Sequence, residues 1–117
     1  MSESPNVIKD KSYQFALNVI VLCNKLRNLN EYVLSRQLLR SGTSIGANVE
    51  EATAAQSRKD FISKMSIASK EARESNYWLR LLRDSNLFKN IDLDPLLNDS
   101  LEIIKILTSI VKSSRNK

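Results

Sequence analysis

Apolar residues recur along most of this chain at three- and four-residue intervals, the spacing that lines one side of an α-helix. Phe15, Ala16, Val19, Ile20, Leu22, Cys23 and Leu26 form the first broad stripe. It predicts a helix from about Asp10 or Lys11 to Leu29, capped by Asp10 and ended by Asn28-Leu29-Asn30. Leu34, Leu38, Ile45, Val49 and Ala52 predict a second helix, from near Glu31 to Ala54 or Ala55. A third is predicted from about Arg58 to Asn86, close to 43 Å long at ~1.5 Å per residue. After a connection from Leu87 to Asp94, Asp94-Pro95 reads as cap plus first-turn proline of a fourth, ending near Ser113. Its apolar positions are Leu96, Leu97, Leu101, Ile103, Ile104, Leu107, Ile110 and Val111. Residues 1–9 carry little pattern and are expected to be a flexible arm, and residues 114–117 a loose tail. Residues 10–113 then make one all-α domain, an antiparallel up-down-up-down four-helix bundle.

Both glycines of the protein, Gly42 and Gly46, fall inside the second stripe. In a helix interior the two together cost about 2 kcal/mol relative to alanine. Their presence points to another backbone passing very close on that side. The alternative is a loop or kink at Ser41–Ser44; the unbroken apolar spacing and the lack of an intervening proline favour a continuous helix. Just beyond it, Ser57 can cap the third helix, with Asp60 meeting its positive end.

At roughly 100° per residue the third helix divides into three sectors. Phe61, Met65, Ala68, Ala72, Leu79 and Leu82 form the core seam. A second sector carries Arg58, Lys59, Lys70, Arg73, Arg80 and Arg83, interrupted by Tyr77 and Asp84. The third holds Asp60, Ile67, Glu71, Glu74, Trp78 and Leu81. Large apolar groups among charges mark this third sector as a candidate subunit interface. A basic edge meeting an acidic edge on a neighbour would be a head-to-tail contact, which closes into rings. The plainer alternative has Trp78 covering the bundle end beneath Leu87-Phe88. The basic sector, with Arg36 and Arg40 from the second helix, is a candidate phosphate-binding surface for RNA or DNA. Its plain alternative is a solvated face. No recognition helix or zinc finger supports base-specific reading.

The 117 residues carry a formal net charge of +5 and a pI near 9.5, which suits a polyanion, nucleic acid first and membrane surface second. Histidine is absent and Cys23 is the single cysteine. That excludes a disulfide scaffold within one chain, cysteine-rich zinc sites and histidine-dependent catalysis. Cys23, between Ile20 and Leu26, reads as a buried inert thiol. No phosphate-cradling glycine loop exists, because Gly42-x-x-x-Gly46 lacks the strand and the lysine. Asp60, Glu71 and Glu74 leave carboxylate-only catalysis as the one remaining enzymatic reading. The expectation is no catalytic residue, no metal, no cofactor and no small-molecule substrate. No apolar run approaches the ~20 residues of a membrane span, and no basic-then-apolar leader opens the chain, so a cytoplasmic protein is expected. Asn98-Asp99-Ser100 fits a glycosylation sequon, which has no meaning without secretion.

Three segments resemble the bacterial four-helix bundle proteins whose founding members are encoded by intervening sequences in 23S ribosomal RNA genes. They are Arg40-Ser-Gly-Thr-Ser-Ile-Gly-Ala-Asn-Val-Glu-Glu-Ala, Ser57-Arg-Lys-Asp-Phe, and Ile67-Ala-Ser-Lys-Glu-Ala-Arg-Glu-Ser-Asn-Tyr-Trp-Leu-Arg-Leu-Leu. The likeness runs from the first helix to about Phe88; Ala52 stands where a glycine is common. The resemblance implies an antiparallel bundle assembled as a homopentameric ring without known catalytic activity. Similar proteins act as accessory factors of diversity-generating reverse transcriptases, and they match this chain less closely. On the matching positions it directs attention to Arg40, Asn48, Glu51, Arg58, Lys59, Glu71 and Glu74, with Asn48 and Glu51 expected in a structural role, hydrogen-bonded where helices pack tightly around Gly42 and Gly46. The function expected is therefore a non-enzymatic, oligomeric binder of RNA or DNA phosphates. The runner-up is a protein-interaction scaffold or accessory factor, for example to a reverse transcriptase.

Overall fold

Residues 5–116 are described by the structure, a computed structural model. The first helix, α1, spans Pro5–Asn28 and begins five residues ahead of the expected cap at Asp10. Ile8 is the reason: it lies two turns before Phe15 on the same side and is fully buried. Residues 5–9 of the expected arm are thus helical, while 1–4 lie outside the described residues. Asn30 ends α1 in the left-handed conformation at φ 66°, a region asparagine enters more readily than other side-chain-bearing residues. The Glu31 amide donates to the Leu26 carbonyl at 2.9 Å and the Asn30 amide to Arg27 at 2.9 Å. Those two bonds satisfy carbonyls that the helix end would otherwise leave open.

Helix α2 spans Val33–Thr53 without a break, so Gly42 and Gly46 lie in a continuous helix. Helix α3, Arg58–Asp84, starts as expected, with the Ser57 side chain accepting from the Asp60 amide at 3.0 Å. The Asp60 carboxylate reaches back to the Gln56 amide at 3.4 Å, so each end of this turn is held by the other. Helix α4, Asp94–Arg115, takes Leu93 as its N-cap, not Asp94. Asp92 does the local capping, its carboxylate accepting from the Asp94 amide at 3.1 Å. The expected loose tail is helical to Arg115, and Lys117 lies outside the described residues.

Short connections force each helix antiparallel to the next. In cross-section the order is α1, α2, α3, α4, with α1 and α4 closing the square along its thinnest seam. Phe15, Val19 and Leu26 of α1 meet Leu38, Ile45 and Val49 of α2, Met65, Leu79 and Leu82 of α3, and Ile103 and Leu107 of α4 in one core. Each large aliphatic side chain fully buried there contributes on the order of 1.5–3 kcal/mol. Two expected core positions face outward instead: Ile20 is 47% exposed and Leu101 55%. Ile106 takes a place in the core that the apolar spacing of α4 did not assign.

The buried polar side chains of this core, Ser12, Ser35, Ser41, Ser75, Asn76 and Ser100, are paired. Ser75 Oγ donates to the Glu71 carbonyl and meets Ser41 Oγ, both at 2.9 Å. Asn76 Nδ2 donates to Ser100 Oγ at 2.9 Å, and Arg80 Nε donates back to Asn76 Oδ1 at 2.8 Å. Such bonds matter because a buried polar group left alone costs about 1–3 kcal/mol.

Candidate nucleic-acid interface

The expected basic surface does not form as one face. Arg36 stands on the α1 side of α2, lining a shallow groove with Arg27, Tyr32 and Leu39, away from the α3 cations. Arg40 turns to α3, pairing with Glu71 at 3.3 Å and closely with Glu74. The Glu74 hydrogen bond, helped by the charge of Glu71, raises the Arg40 pKa above its ordinary value. Arg83 is paired with Asp84 at 2.7 Å, raising the arginine pKa and lowering that of the carboxyl. Arg80 holds Asn76 and lies 5.7 Å over the Tyr77 ring. Arg58 and Lys59 project outward at the start of α3.

Lys70 and Arg73 face α4, and there a basic groove does form. Its volume is about 350 Å³, and its walls carry Lys70 and Arg73 from α3 with Lys112 and Arg115 from α4. Ser66, Ser69 and Thr108 add hydroxyls, Val111 adds an apolar wall, and no carboxylate of a described residue lines it. Arg73 Nη2 donates to Thr108 Oγ1 at 3.3 Å, joining the two helices across the groove. Sequence reasoning missed Lys112, Arg115 and Thr108. The signal was present: Lys105, Thr108, Lys112 and Arg115 recur at intervals of three and four, which puts them on one side of α4.

The expected subunit-contact sector is partly engaged within the chain. Glu71 and Glu74 are the carboxylates that hold Arg40, and Trp78 Nε1 donates to Glu74 at 3.2 Å. Trp78 is half-buried, packed against the core and set edge-on to Tyr77 at 5.1 Å. Asp60 is occupied at the α3 cap. Ile67 and Leu81 do remain exposed. A further exposed apolar stripe lies on the outer side of α1, where Tyr13 is 65% exposed, Leu17 41% and Val21 56%, beside Ile20.

The residues assigned to helix packing separate as well. A Cβ on Gly42 would stand 2.9 Å from both methyl carbons of Val19, whereas one on Gly46 would meet Ser12 atoms at 3.5 Å, an ordinary contact. Close approach therefore explains Gly42 alone, and against a side chain instead of a backbone. Asn48 bonds within its own helix, Nδ2 donating to the Ser44 carbonyl at 2.9 Å. Glu51 clasps α2 to α3 through Lys64 at 2.9 Å, which raises the Lys64 pKa.

Among the described residues no cluster of candidate ligands could hold a metal ion, and no helix is long and apolar enough to cross a membrane. The model of the family described as 23S rRNA-intervening sequence protein matches residues 5–109. A solved structure of a protein with unknown function, from the S23 ribosomal protein family of Bacteroides thetaiotaomicron, is 50% identical in sequence. The match covers 92% of this chain and 97% of that one, at a TM-score of 0.85. No curated protein matches the chain.

Proposed function

This chain belongs to the 23S rRNA-intervening sequence protein family, and from that premise we propose a non-enzymatic, oligomeric bundle protein that binds RNA or DNA through phosphates. One observation carries the reading: Lys70, Arg73, Lys112 and Arg115 share a groove that, among the described residues, no carboxylate lines. Elsewhere on α2 and α3 the arginines at 40 and 83 are paired with acids of the same chain. Cations without local counter-charges are those that gain most from a polyanion, because phosphates replace weakly held solvent ions. Base-specific reading has no support, so binding is expected to be sequence-independent and sensitive to salt.

Assembly is supported by the α1 stripe. Tyr13, Leu17, Ile20 and Val21 lie on the helix diagonally opposite α3, which exposes Ile67, Tyr77 and Leu81. Apolar patches on opposite sides of one bundle suit a head-to-tail contact between copies, which closes into a ring when the rotation allows. The occupant of the stripe in this reading is a second copy of the chain.

Fluorescence polarisation with a labelled single-stranded RNA, titrated across salt concentrations, tests the binding. Lys70→Gln with Arg73→Gln is expected to reduce the log–log salt slope by about 1.4, two contacts at ~0.7 each. An unchanged slope and affinity would remove these residues from the interface. Light scattering tests assembly, with Leu17→Glu expected to lower the solution mass. The runner-up, a protein-interaction scaffold or accessory factor, rests on the same apolar stripe. It is the better reading if the protein is monomeric and a pulled-down protein partner survives nuclease treatment.

A further inference from the structure

Ser66 departs from a pattern that the fully buried serines of the helices and Thr43 follow. Ser35 donates to the Glu31 carbonyl, Thr43 to Leu39, Ser75 to Glu71 and Ser100 to Leu97. Each returns its proton to the preceding turn of its own helix, the usual fate of a serine or threonine there. Ser66 Oγ is shielded from solvent and, among the described residues, has no hydrogen-bond partner. It is also part of the wall of the α3–α4 groove. A shielded hydroxyl without a partner is destabilising unless something else accepts from it.

We propose that the α3–α4 groove is a discrete phosphate site, with the Ser66 hydroxyl turning about its Cα–Cβ bond into the groove to donate to a phosphate oxygen and Lys70, Arg73, Lys112 and Arg115 neutralising the charge. The inference rests on the phosphate-binding reading of the basic face and gives it a specific seat. Two arguments favour a phosphate over a solvated charge cluster. Lys112 and Arg115 stand in the last turn of α4, where cations are favoured by the helix dipole alone. That accounts for two of the four cations; Arg73 bridges to Thr108, which leaves Lys70 and the unpartnered Ser66 hydroxyl unexplained. The groove also has the right scale: Ser66 to Arg73 spans about 10 Å along α3 at ~1.5 Å per residue. Such a length admits one or two phosphate groups with donors on both sides. The phosphate can belong to a nucleic-acid backbone or to a small free phosphate compound, since both present the same oxygens to the same donors.

Isothermal titration of the intact protein with inorganic pyrophosphate tests the site, with the labelled RNA as a second probe. Saturable pyrophosphate binding is expected, weakened about tenfold by Ser66→Ala, the change expected when a hydrogen bond to a charged group is lost. Lys112→Gln with Arg115→Gln is expected to weaken it further, with the helical circular dichroism unchanged. If pyrophosphate displaces the RNA, the occupant is a backbone phosphate; if both bind together, it is a small phosphate compound. Absence of saturable binding, or binding indifferent to Ser66→Ala and to the α4 double variant, overturns the site. RNA binding that persists in that case leaves the general polyanion reading standing. Loss of RNA binding with pyrophosphate binding retained does the reverse.

Discussion

Both methyl carbons of Val19 stand 2.9 Å from the point where a side chain on Gly42 would begin. The two residues bring α1 and α2 together at a spacing no larger residue at 42 would permit. Valine is held to essentially one rotamer in a helix, so it has no easy way to turn aside. Gly42→Ala is expected to destabilise the fold by about 1–2 kcal/mol, because overpacking exceeds the helix-propensity gain. Val19→Ala in the same chain should recover part of that loss. Gly46→Ala, meeting only ordinary contacts, is expected to stabilise by about 1 kcal/mol. Urea unfolding midpoints of the four proteins check the ordering, and equal effects at 42 and 46 would refute it.

Asn76 links α3 to α4 through Ser100 and anchors Arg80 at the surface. Asn76→Ala should cost about 1–3 kcal/mol, since it removes a buried bond and leaves the arginine without its acceptor. Chemical denaturation measures the loss. A wild-type midpoint in the variant would mean that this network contributes nothing net.

Ser57 closes the free amide end of α3 through its bond to Asp60. Ser57→Ala is expected to lower stability by about 1 kcal/mol, and Ser57→Asp to leave it nearly unchanged because aspartate caps as well. Thermal melts of the two variants distinguish capping from a requirement for serine itself.

Arg40 already has two carboxylate partners, Glu71 and Glu74. Arg40→Ala should therefore weaken RNA binding less than Arg73→Ala. Its effect on stability should stay below about 1 kcal/mol, as for exposed ion pairs in general. Trp78 is the only tryptophan and donates to the same Glu74, so its emission reports on the released carboxylate. Equal losses of RNA affinity in the two variants would contradict the division of the basic residues.

Burial, with a smaller contribution from Glu31, pushes the Cys23 thiol up to about 11 from an ordinary value of 9.0. Its Sγ donates to the Ser35 carbonyl at 3.3 Å. A raised folded-state value means that folding disfavours the thiolate. The associated stability is fully present below pH 9 and is lost as pH rises through about 11. Wild type should thus lose stability over that interval more steeply than Cys23→Ala, as read by unfolding midpoints at fixed pH. The native thiol should also resist a disulfide reagent at pH 8, and fast modification of the folded protein would contradict its burial.

Periodicity made the four helices legible because a 3.6-residue repeat of apolar side chains has no other way to hide them. The start of α3 was equally plain, since Ser57 and Asp60 act on neighbouring amides. Ends proved harder where one residue decides: Ile8 lengthens α1, and Leu93 replaces Asp94 as the cap of α4. The candidate site was half legible. Lys70 and Arg73 were visible as cations on one side of α3, but their companions Lys112 and Arg115 lie some forty residues away in sequence. Only the packing angle between two helices could say that those four share a groove.

By itself the order of residues determined what is local here: helix number, continuity through Gly42, and a surplus of positive charge. Tertiary structure alone decided which charges cancel, which glycine stands tightest against a neighbouring helix, that Ile20 faces outward, and that the shielded Ser66 hydroxyl is left without a partner. The physical reason is distance. Helix propensity and capping act over about four residues, whereas ion pairing, steric contact and hydrogen bonding across a bundle depend on which helix faces are turned toward one another.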